Sequence, residues 1–345
     1  MQSKQDDNRF IGSRSTITLG RLWRKIITFR EIGILIPLVL ICLATYIINP
    51  VFLTAFNIAS VLRAVSLTAI VAISMTFVLI TGGLDLSIGS IVAMAGMATA
   101  AVLKAWEPAL PEGILIVVAI LAGLVAGLLV GLFNGSLIAF CKIPPLIVTL
   151  GSLYAVRGLV EVATGGVPIY PLPAGFLTLG QGNFLGLPIP FYVMLGLAVI
   201  AHLVLNHTTY GRSVYAIGGN EETARLSGID VERVKLSVYM LSGLFSAIGG
   251  ILLTSRISTL QPGQGKGWEL TVIAAVIIGG TSLMGGSGTI LGTLIGTTIT
   301  GVLVNAMVLT KVNAYWQNVV VGLIIIFAVG IDMFQRSKLL SGGKR

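Results

Sequence analysis

"NIASVLRAVSLTAIVAISMTFVLITGGLDLSIGSI", residues 57–91, joins two apolar runs through a glycine pair and carries a single carboxylate, Asp85. The apolar residues on both sides of Gly82 and Gly83 do not alternate with polar ones, as they would in a half-buried strand. Glycine ends helices, and Asp85 and Ser87 are residue types that cap the start of a new helix. The stretch therefore predicts two apolar helices separated by a break.

The composition extends this prediction to most of the chain. Of 345 residues, 55% are hydrophobic and 10% are charged, whereas a soluble domain carries about 25% charged residues. The apolar runs last about 20 residues, which suits spanning helices rather than the shorter alternating strands of a barrel. Because a chain in lipid must satisfy its backbone polar groups internally, we expect an all-α polytopic membrane protein.

We predict about ten transmembrane helices with an internal repeat, within a transmembrane domain over 32–335. The predicted spans are 32–49, 58–80, 87–105, 113–140, 144–164, 190–206, 236–255, 269–284, 288–308 and 314–334. A basic N-terminal tail (1–31) precedes them and a C-terminal tail (336–345) follows.

Sixteen of the 22 Lys and Arg residues fall in the tails, at Lys142 and in the loop 207–235. The positive-inside rule places these segments, and both termini, in the cytoplasm of a cell (inner) membrane protein. It also explains the net charge of +9 without nucleic acid.

The sequence has few residues that could form a metal-binding or catalytic site. Cys42 and Cys141 are far apart, and His202 and His207 show no ligand spacing, so we expect no metal site. The sequence has no Gly-rich phosphate loop with Lys-Ser/Thr and no nucleophile motif. We therefore expect no cofactor and no catalytic residues: the chain is not an enzyme, and any ATP hydrolysis belongs to a partner.

Two loops differ in kind. Residues 165–190 carry no charge and are rich in Gly and Pro, so we expect them on or in the membrane surface or over a pore mouth. The loop 207–235 contains eight charged residues in 29 positions. Within it, Asn220 is typical of a helix start and Gly228 of a helix end. The intervening helix of about two turns is too short to be stable alone, so it must pack on its own bundle or on another protein.

Several segments resemble one family of membrane proteins. "GGNEETARLSGIDVERVK" (218–235) is similar to the coupling-helix loop of permease subunits of ATP-binding-cassette (ABC) importers, closest to the ribose/xylose/galactose-type permeases of the branched-chain amino acid permease superfamily. "GLFNGSLIAFCKIPPLIVTLGSLYAVRGL" (131–159) and "AAVIIGGTSLMGGSGTILGTLIG" (274–296) follow the family's order. The resemblance covers about residues 50–335.

The resemblance implies import of a neutral monosaccharide, with pentoses as the first expectation. It implies three kinds of partner: a cytoplasmic ABC ATPase subunit, a periplasmic or extracellular sugar-binding protein, and a second permease, either another copy or a sister subunit. It also assigns an ATPase-coupling role to Asn220, Glu221, Glu222, Ala224, Arg225, Gly228 and Ile229.

An internal repeat relates "VLITGGLDLSIGS" (78–90) to "AVIIGGTSLMGGSGT" (275–289). In each copy an apolar run ends at Gly-Gly and another begins soon after. The span count predicts that the two copies run in the same direction.

Glycines also recur at four-residue spacing, which lets helices approach closely in lipid. The rows are Gly123, Gly127, Gly131 and Gly135, and Gly288, Gly292 and Gly296. They predict tight packing within one bundle, with a dimer interface or sliding gate as alternatives.

A neutral sugar requires donors and acceptors that match its hydroxyl groups. As a candidate translocation path or gate we select Asp85, Ser87, Asn134, Thr149 and Asn305. Ser66, Ser74 and Ser152 are further polar side chains within the spans. Each of these groups has the alternative role of a hydrogen bond between helices. Arg63 and Arg157 are expected to reach the membrane surface or pair with a carboxylate.

Two questions remain open at this level. The carboxylate of Asp85 either caps the restarted helix or contacts substrate, and Ser282 at the matching position of the second copy favours capping. The alternative function is an ion- or proton-coupled secondary transporter, for which Asp85, Glu161 and His202 would supply the membrane-embedded relay. For a channel, residues 165–190 are the one filter-like segment.

Overall fold

The computed structural model describes residues 30–107, 109–313, 315–317, 319–323, 326–327 and 330, with side chains described from residue 35 onward. Within these ranges the chain forms helices joined by short connections. The helices are α1 (Arg30–Ile48), α2 (Ala55–Ile80), α3 (Ile88–Trp106), α4 (Glu112–Ala139), α5 (Pro145–Thr164), α6 (Ala174–Gln181), α7 (Ile189–His207), α8 (Thr209–Gly219), α9 (Glu221–Leu226), α10 (Val231–Ile257), α11 (Trp268–Ile278) and α12 (Ile290–Leu309). A two-stranded antiparallel hairpin, β1 (Asn183–Phe184) and β2 (Leu187–Pro188), precedes α7.

The all-α polytopic membrane fold is confirmed. In the described part of the chain, seven helices are long and apolar enough to cross a membrane: α2, α3, α4, α5, α7, α10 and α12. The predicted count of ten is not confirmed. The first span corresponds to α1, of which Leu35–Ile48 is a shorter apolar helix. All described residues of the tenth span are helical. The rest of that span, residues 1–29 of the N-terminal tail and the C-terminal tail lie outside the described residues.

The predicted span 269–284 is wrong in its length. Helix α11 ends at Ile278 after 11 residues, about 17 Å of helix, where the hydrocarbon core is about 30 Å thick. Gly280 has φ +88°, a conformation that no helix contains, and irregular backbone continues to Thr289. Such backbone is tolerated at membrane depth only inside protein, and Thr281 and Ser282 are both buried.

Helix α2 forms the centre of the bundle. From Val65 to its last residue, Ile80, all but one of its residues are buried. It packs on α7, α10, α11 and α12, while α3, α4 and α10 form a second set of contacts beside it. A helix that is apolar on every face is the kind that a bundle surrounds.

The four-glycine row on α4 packs against α10 within the chain. A Cβ at Gly127 would lie 2.7 Å from the carbonyl oxygen of Gly243, and one at Gly131 would lie 2.5 Å from that of Tyr239. The backbones of the two helices are therefore in contact. The row on α12 faces α11 in the same way, with Gly296 against the carbonyl oxygen of Ala275. Packing within the bundle accounts for both rows.

The two copies of the repeat meet at what we call the break junction, Ile80–Gly83 together with Gly285–Gly288. The N–H of Gly286 donates to the carbonyl of Ile80 at 2.8 Å. Helix α12 runs antiparallel to α2, since Thr76 contacts Thr293 and Val65 contacts Gly301. It is also antiparallel to α11, so α2 and α11 run in the same direction, as the span count predicts.

Candidate functional site

Helix α9 is held by local signals at both ends. The side chain of Asn220 accepts the N–H of Thr223 at 2.8 Å, which is an N-cap. At the other end Gly228 has φ +82°, its N–H donates to the carbonyl of Arg225, and the N–H of Ile229 donates to that of Ala224. This pair of bonds is the Schellman motif. Six residues can therefore form a defined helix at the predicted position.

Ion pairs tie α9 to the first turns of α10. Arg225 contacts Glu221 at 3.6 Å and Glu232 at 2.7 Å, and Lys235 contacts Glu221 at 2.6 Å. The hydrogen bond that Arg225 donates to Glu232 raises the pKa of Arg225 above its ordinary value. Each pair is partly exposed, so each contributes little to stability on its own. Their shared effect is to fix the angle between α9 and α10.

A small core of three buried residues, Ile217, Ala224 and Val231, joins α8, α9 and α10. Caps bound it on both sides: the side chain of Thr208 accepts the N–H of Gly211, and that of Asp230 accepts the N–H of Arg233. We call residues 209–235 the docking corner. Its packed interior holds α8, α9 and the first turn of α10 together.

The docking corner divides the predicted coupling residues into two groups. Ala224 is only 3% exposed and faces inward, and Ile229 packs beside it. Asn220, Glu221, Glu222, Arg225 and Gly228 lie on the surface. Leu226, which the sequence analysis missed, is 80% exposed. An apolar side chain on an otherwise charged helix is the sequence feature that could have indicated Leu226 as a surface contact. A cavity of about 680 Å³ separates the corner from the α4–α5 connection at Lys142.

On its other side the docking corner lies against the break junction. A Cβ at Gly218 would overlap the carbonyl oxygen of Ile80 and come within 2.5 Å of the amide nitrogen of Gly286. The hydroxyl of Tyr215 donates to the carbonyl of Gly288 at 2.7 Å. Partial burial raises the pKa of Tyr215, so it remains a donor at neutral pH. The end of α8 thus contacts both copies of the repeat.

Asp85 is fully buried and binds Ser87, the residue before α3, and Ser242 on α10. Its Oδ1 accepts the N–H of Ser87 at 2.9 Å and the hydroxyl of Ser87 at 2.5 Å, and its Oδ2 accepts the hydroxyl of Ser242 on α10 at 2.6 Å. On the same helix, Tyr239 donates to the carbonyl of Leu84 at 3.2 Å. Asp85 therefore orders the turn before α3 and fixes it to α10.

The second copy of the repeat contains a matching turn. The hydroxyl of Ser282 accepts the N–H of Met284 at 3.2 Å, two residues on, as Asp85 accepts that of Ser87. Asp and Ser side chains both form such turns. The bond made by Asp85 reaches the residue before α3 rather than the first helical turn, and Ser87 makes no side-chain cap. The capping prediction thus holds for the turn and not for the helix itself.

The structure brings four of the five candidate path residues together. The side-chain amide of Asn134 donates to the hydroxyl of Ser87 at 2.9 Å. The hydroxyl of Thr149 lies 3.4 Å from the carbonyl oxygen of Leu84. Asn305 lies elsewhere, in a reciprocal amide pair with Asn57 at 2.8 and 3.0 Å. Asn305 therefore lies apart from the other four, because Asn57 on α2 binds it, and its place in the path stays a prediction.

The remaining polar groups are mostly structural. Ser66 and Ser74 donate to carbonyls of their own helix. The side chains of Asn134, at Oδ1, and of Ser152 have buried oxygen atoms with no hydrogen-bond partner among the described residues. Asn134 therefore has spare acceptor capacity next to Ser87 and the Asp85 turn.

The intramembrane arginines bind backbone rather than carboxylates. Arg157 donates to the carbonyls of Pro262 and Gln264, at 3.0 and 2.7 Å, and so holds the connection between α10 and α11. Arg63 donates to the carbonyl of Gln181 and to Asn183. Of the two expected roles, pairing with a carboxylate is not seen for either arginine among the described residues, and backbone carbonyls and Asn183 take its place. Residues 165–190 form α6 and the hairpin at this end of the bundle.

Comparison with known proteins places these features in a family. Residues 57–329 match the family described as the permease component of branched-chain amino acid transport systems. The chain is 45% identical to the ribose import permease protein of Bacillus subtilis over 88% of this chain and 92% of that protein. It is 42% identical to the L-arabinose transport system permease protein of Escherichia coli over 94% of each. The ribose import permease protein of Escherichia coli is 38% identical over 92% of this chain and 98% of that protein. No solved structure gives a significant match.

Proposed function

The chain belongs to the permease component family of branched-chain amino acid transport systems, and we propose that it is the membrane subunit of an ABC importer for a neutral monosaccharide. Its relatives are named as permeases for ribose and L-arabinose. The observation that carries the proposal is their identity of 38–45% over about nine-tenths of the chain. Energy comes from a separate ATPase subunit, since the sequence contains no nucleotide-binding motif of its own.

The exposed face of α9 is the surface we propose for ATPase docking. It presents Glu222 and Leu226, while Ala224 anchors the helix from beneath. A leucine that is 80% exposed on a capped, ion-paired helix is suited to a hydrophobic pocket in a partner. In this proposal Asn220, Glu221, Arg225, Gly228 and Ile229 shape the helix and do not supply most of the binding energy.

The substrate we propose is a pentose or a related small sugar, delivered by a sugar-binding protein on the outer side. Asp85, Ser87, Asn134 and Thr149 form the candidate gate. Hydrogen bonds within the chain already occupy both carboxylate oxygens of Asp85. We therefore assign Asp85 to holding the gate and leave Asn134, together with Ser152 one helical turn after Thr149, as the groups with spare acceptor capacity.

The topology and assembly are part of the same proposal. The basic tails 1–31 and 336–345 and the loop 207–235 lie in the cytoplasm, on either side of and within the membrane domain 32–335. A second permease, another copy or a sister subunit, completes the pathway.

Co-purification with a candidate ATPase tests the docking surface. Leu226→Asn should reduce the recovered ATPase, whereas Leu185→Asn, at a residue that is 82% exposed in the hairpin, should not. Burial of a leucine is worth about 1.5–3 kcal/mol, so the loss expected is at least ten-fold in affinity. Equal recovery with both variants would refute the assigned surface.

Uptake into proteoliposomes tests the function itself. With ATPase, binding protein and ATP, labelled pentose should accumulate without a proton gradient. Accumulation that follows a proton gradient and ignores ATP would refute the ABC importer and favour the secondary transporter. The ATPase variant that binds but does not hydrolyse ATP is the control, and it should abolish uptake.

A further inference from the structure

The end of α8 is the one place in the described chain where we find the docking corner against both repeat copies at once. Gly218 lies on the carbonyl of Ile80, where α2 ends, and beside the amide of Gly286 in the second copy. Those two groups bind each other, from Gly286 N–H to Ile80 O at 2.8 Å. Tyr215, one turn earlier, holds the carbonyl of Gly288. A displacement of α8 therefore reaches the first and second breaks together.

Backbone contact makes this junction stiff. A Cβ at Gly285 would lie 2.9 Å from both the carbonyl oxygen of Gly218 and the amide nitrogen of Gly82, so no side chain separates the three segments. Gly285 and Gly286 have φ +84° and +76°, which glycine alone adopts without strain. Close-packed interiors transmit displacement rather than absorb it. The adjacent Gly219 is different, because a Cβ there meets nothing within 4 Å.

The docking corner can deliver that displacement. Its core of Ile217, Ala224 and Val231 joins α8 rigidly to α9, and Ile217 immediately precedes Gly218. The ion pairs to Glu232 and Lys235 hold the start of α10 in the same body. Force applied to α9 thus arrives at Gly218 within one connected unit, without crossing a flexible linker.

We propose that Gly218 and Tyr215 are the positioning residues through which the docked ATPase moves both helix breaks. Neither residue touches substrate or nucleotide. Gly218 sets the close approach of α8 to Ile80 and Gly286, and Tyr215 ties α8 to the backbone just before α12. This role rests on the proposed function, since it requires an ATPase on α9.

Paired substitutions test the role in the complete complex, reconstituted with ATPase and sugar-binding protein. Tyr215→Phe removes only the hydroxyl bond to Gly288. Its matched control is Tyr210→Phe, which removes a hydroxyl bond from α8 to Ser237 on α10 instead. Gly218→Ala is compared with Gly219→Ala. Three quantities are measured for each: ATPase recovered with the permease, rate of ATP hydrolysis, and labelled sugar transported per ATP hydrolysed.

The decisive expectation concerns the third quantity. Tyr215→Phe should leave ATPase recovery unchanged and lower the sugar transported per ATP about five-fold, the lower end of ordinary coupling strengths. Tyr210→Phe and Gly219→Ala should stay within about two-fold of the unsubstituted chain, a change below that coupling range. Gly218→Ala should lower the sugar transported per ATP by more than Tyr215→Phe does. If Gly218→Ala does not assemble, the comparison of Tyr215→Phe with Tyr210→Phe decides.

Three outcomes overturn the inference. Tyr215→Phe and Tyr210→Phe lowering the ratio equally would show a general effect of α8 stability. Loss of ATPase recovery with Tyr215→Phe would show a docking role instead of a coupling role. An unchanged ratio with Tyr215→Phe would remove Tyr215 from the linkage. Failure of the unsubstituted chain to bind any ATPase would instead refute the proposed function, which keeps the two failures distinct.

Discussion

Asp85 offers the sharpest test of how the helix break is held. In Asp85→Ala three donors lose their acceptor: the N–H and hydroxyl of Ser87 and the hydroxyl of Ser242. A buried backbone N–H without a partner costs about 1–3 kcal/mol, and each lost hydroxyl bond costs about 1 kcal/mol. We expect Asp85→Ala to lower the free energy of unfolding by about 3–5 kcal/mol.

Asp85→Asn separates hydrogen bonding from charge. The asparagine carbonyl can still accept both bonds from Ser87, and its amide can donate to the hydroxyl of Ser242, which then acts as acceptor. The expected loss is about 1 kcal/mol or less. Ser242→Ala removes one bond and serves as the intermediate case, at about 1 kcal/mol.

Unfolding in mild-detergent micelles titrated with a denaturing detergent measures these differences, with sugar uptake recorded in parallel. Uptake should be largely retained in Asp85→Asn and reduced more in Asp85→Ala. Equal destabilisation by Asn and Ala would contradict the hydrogen-bond argument. Equal and complete loss of uptake in both, with normal membrane insertion, would show that the carboxylate contacts substrate or gates the path directly.

Further predictions concern packing, a distant amide pair and the docking helix. Gly131→Ala places a methyl group against backbone and should destabilise by about 1–3 kcal/mol, whereas Gly151→Ala meets open space and should be neutral or stabilising in thermal unfolding. Asn305→Ala removes the hydrogen-bond partner of Asn57 and should lower the free energy of unfolding by about 1–3 kcal/mol. Sugar uptake per folded molecule should persist, and a loss of uptake would show that Asn305 belongs to the path. Gly228→Ala forces alanine into a left-handed conformation at a cost of about 1–2 kcal/mol, so less ATPase should co-purify.

Local signals made the docking helix predictable from sequence. Asn220 and Gly228 act on neighbours within a few residues, so their residue types are sufficient to indicate the start and end of α9. The break after Ile80 was predictable for the same reason. The fold class followed from composition, because lipid leaves few alternatives to helices.

What the sequence did not reveal depends on contacts between distant residues or on backbone angles. Residues 279–284 carry no charge, so hydropathy extended α11 although Gly280 turns the chain. Ser242 lies 157 residues from Asp85, and no local rule pairs them. Asn305 was assigned to the path for its polarity, because a single sequence does not show that Asn57 lies beside it.

The docking corner follows the cap at Thr208, contains a second cap at Asp230, and carries its own small core. Such a block is a natural unit for grafting. A chimera that exchanges residues 208–235 between related permeases would carry the recruitment of a particular motor protein with it. The recipient would need only a backbone surface that accepts a glycine at the position of Gly218. The choice of ATPase and the choice of transported sugar could then be exchanged separately, because different parts of one polypeptide determine them.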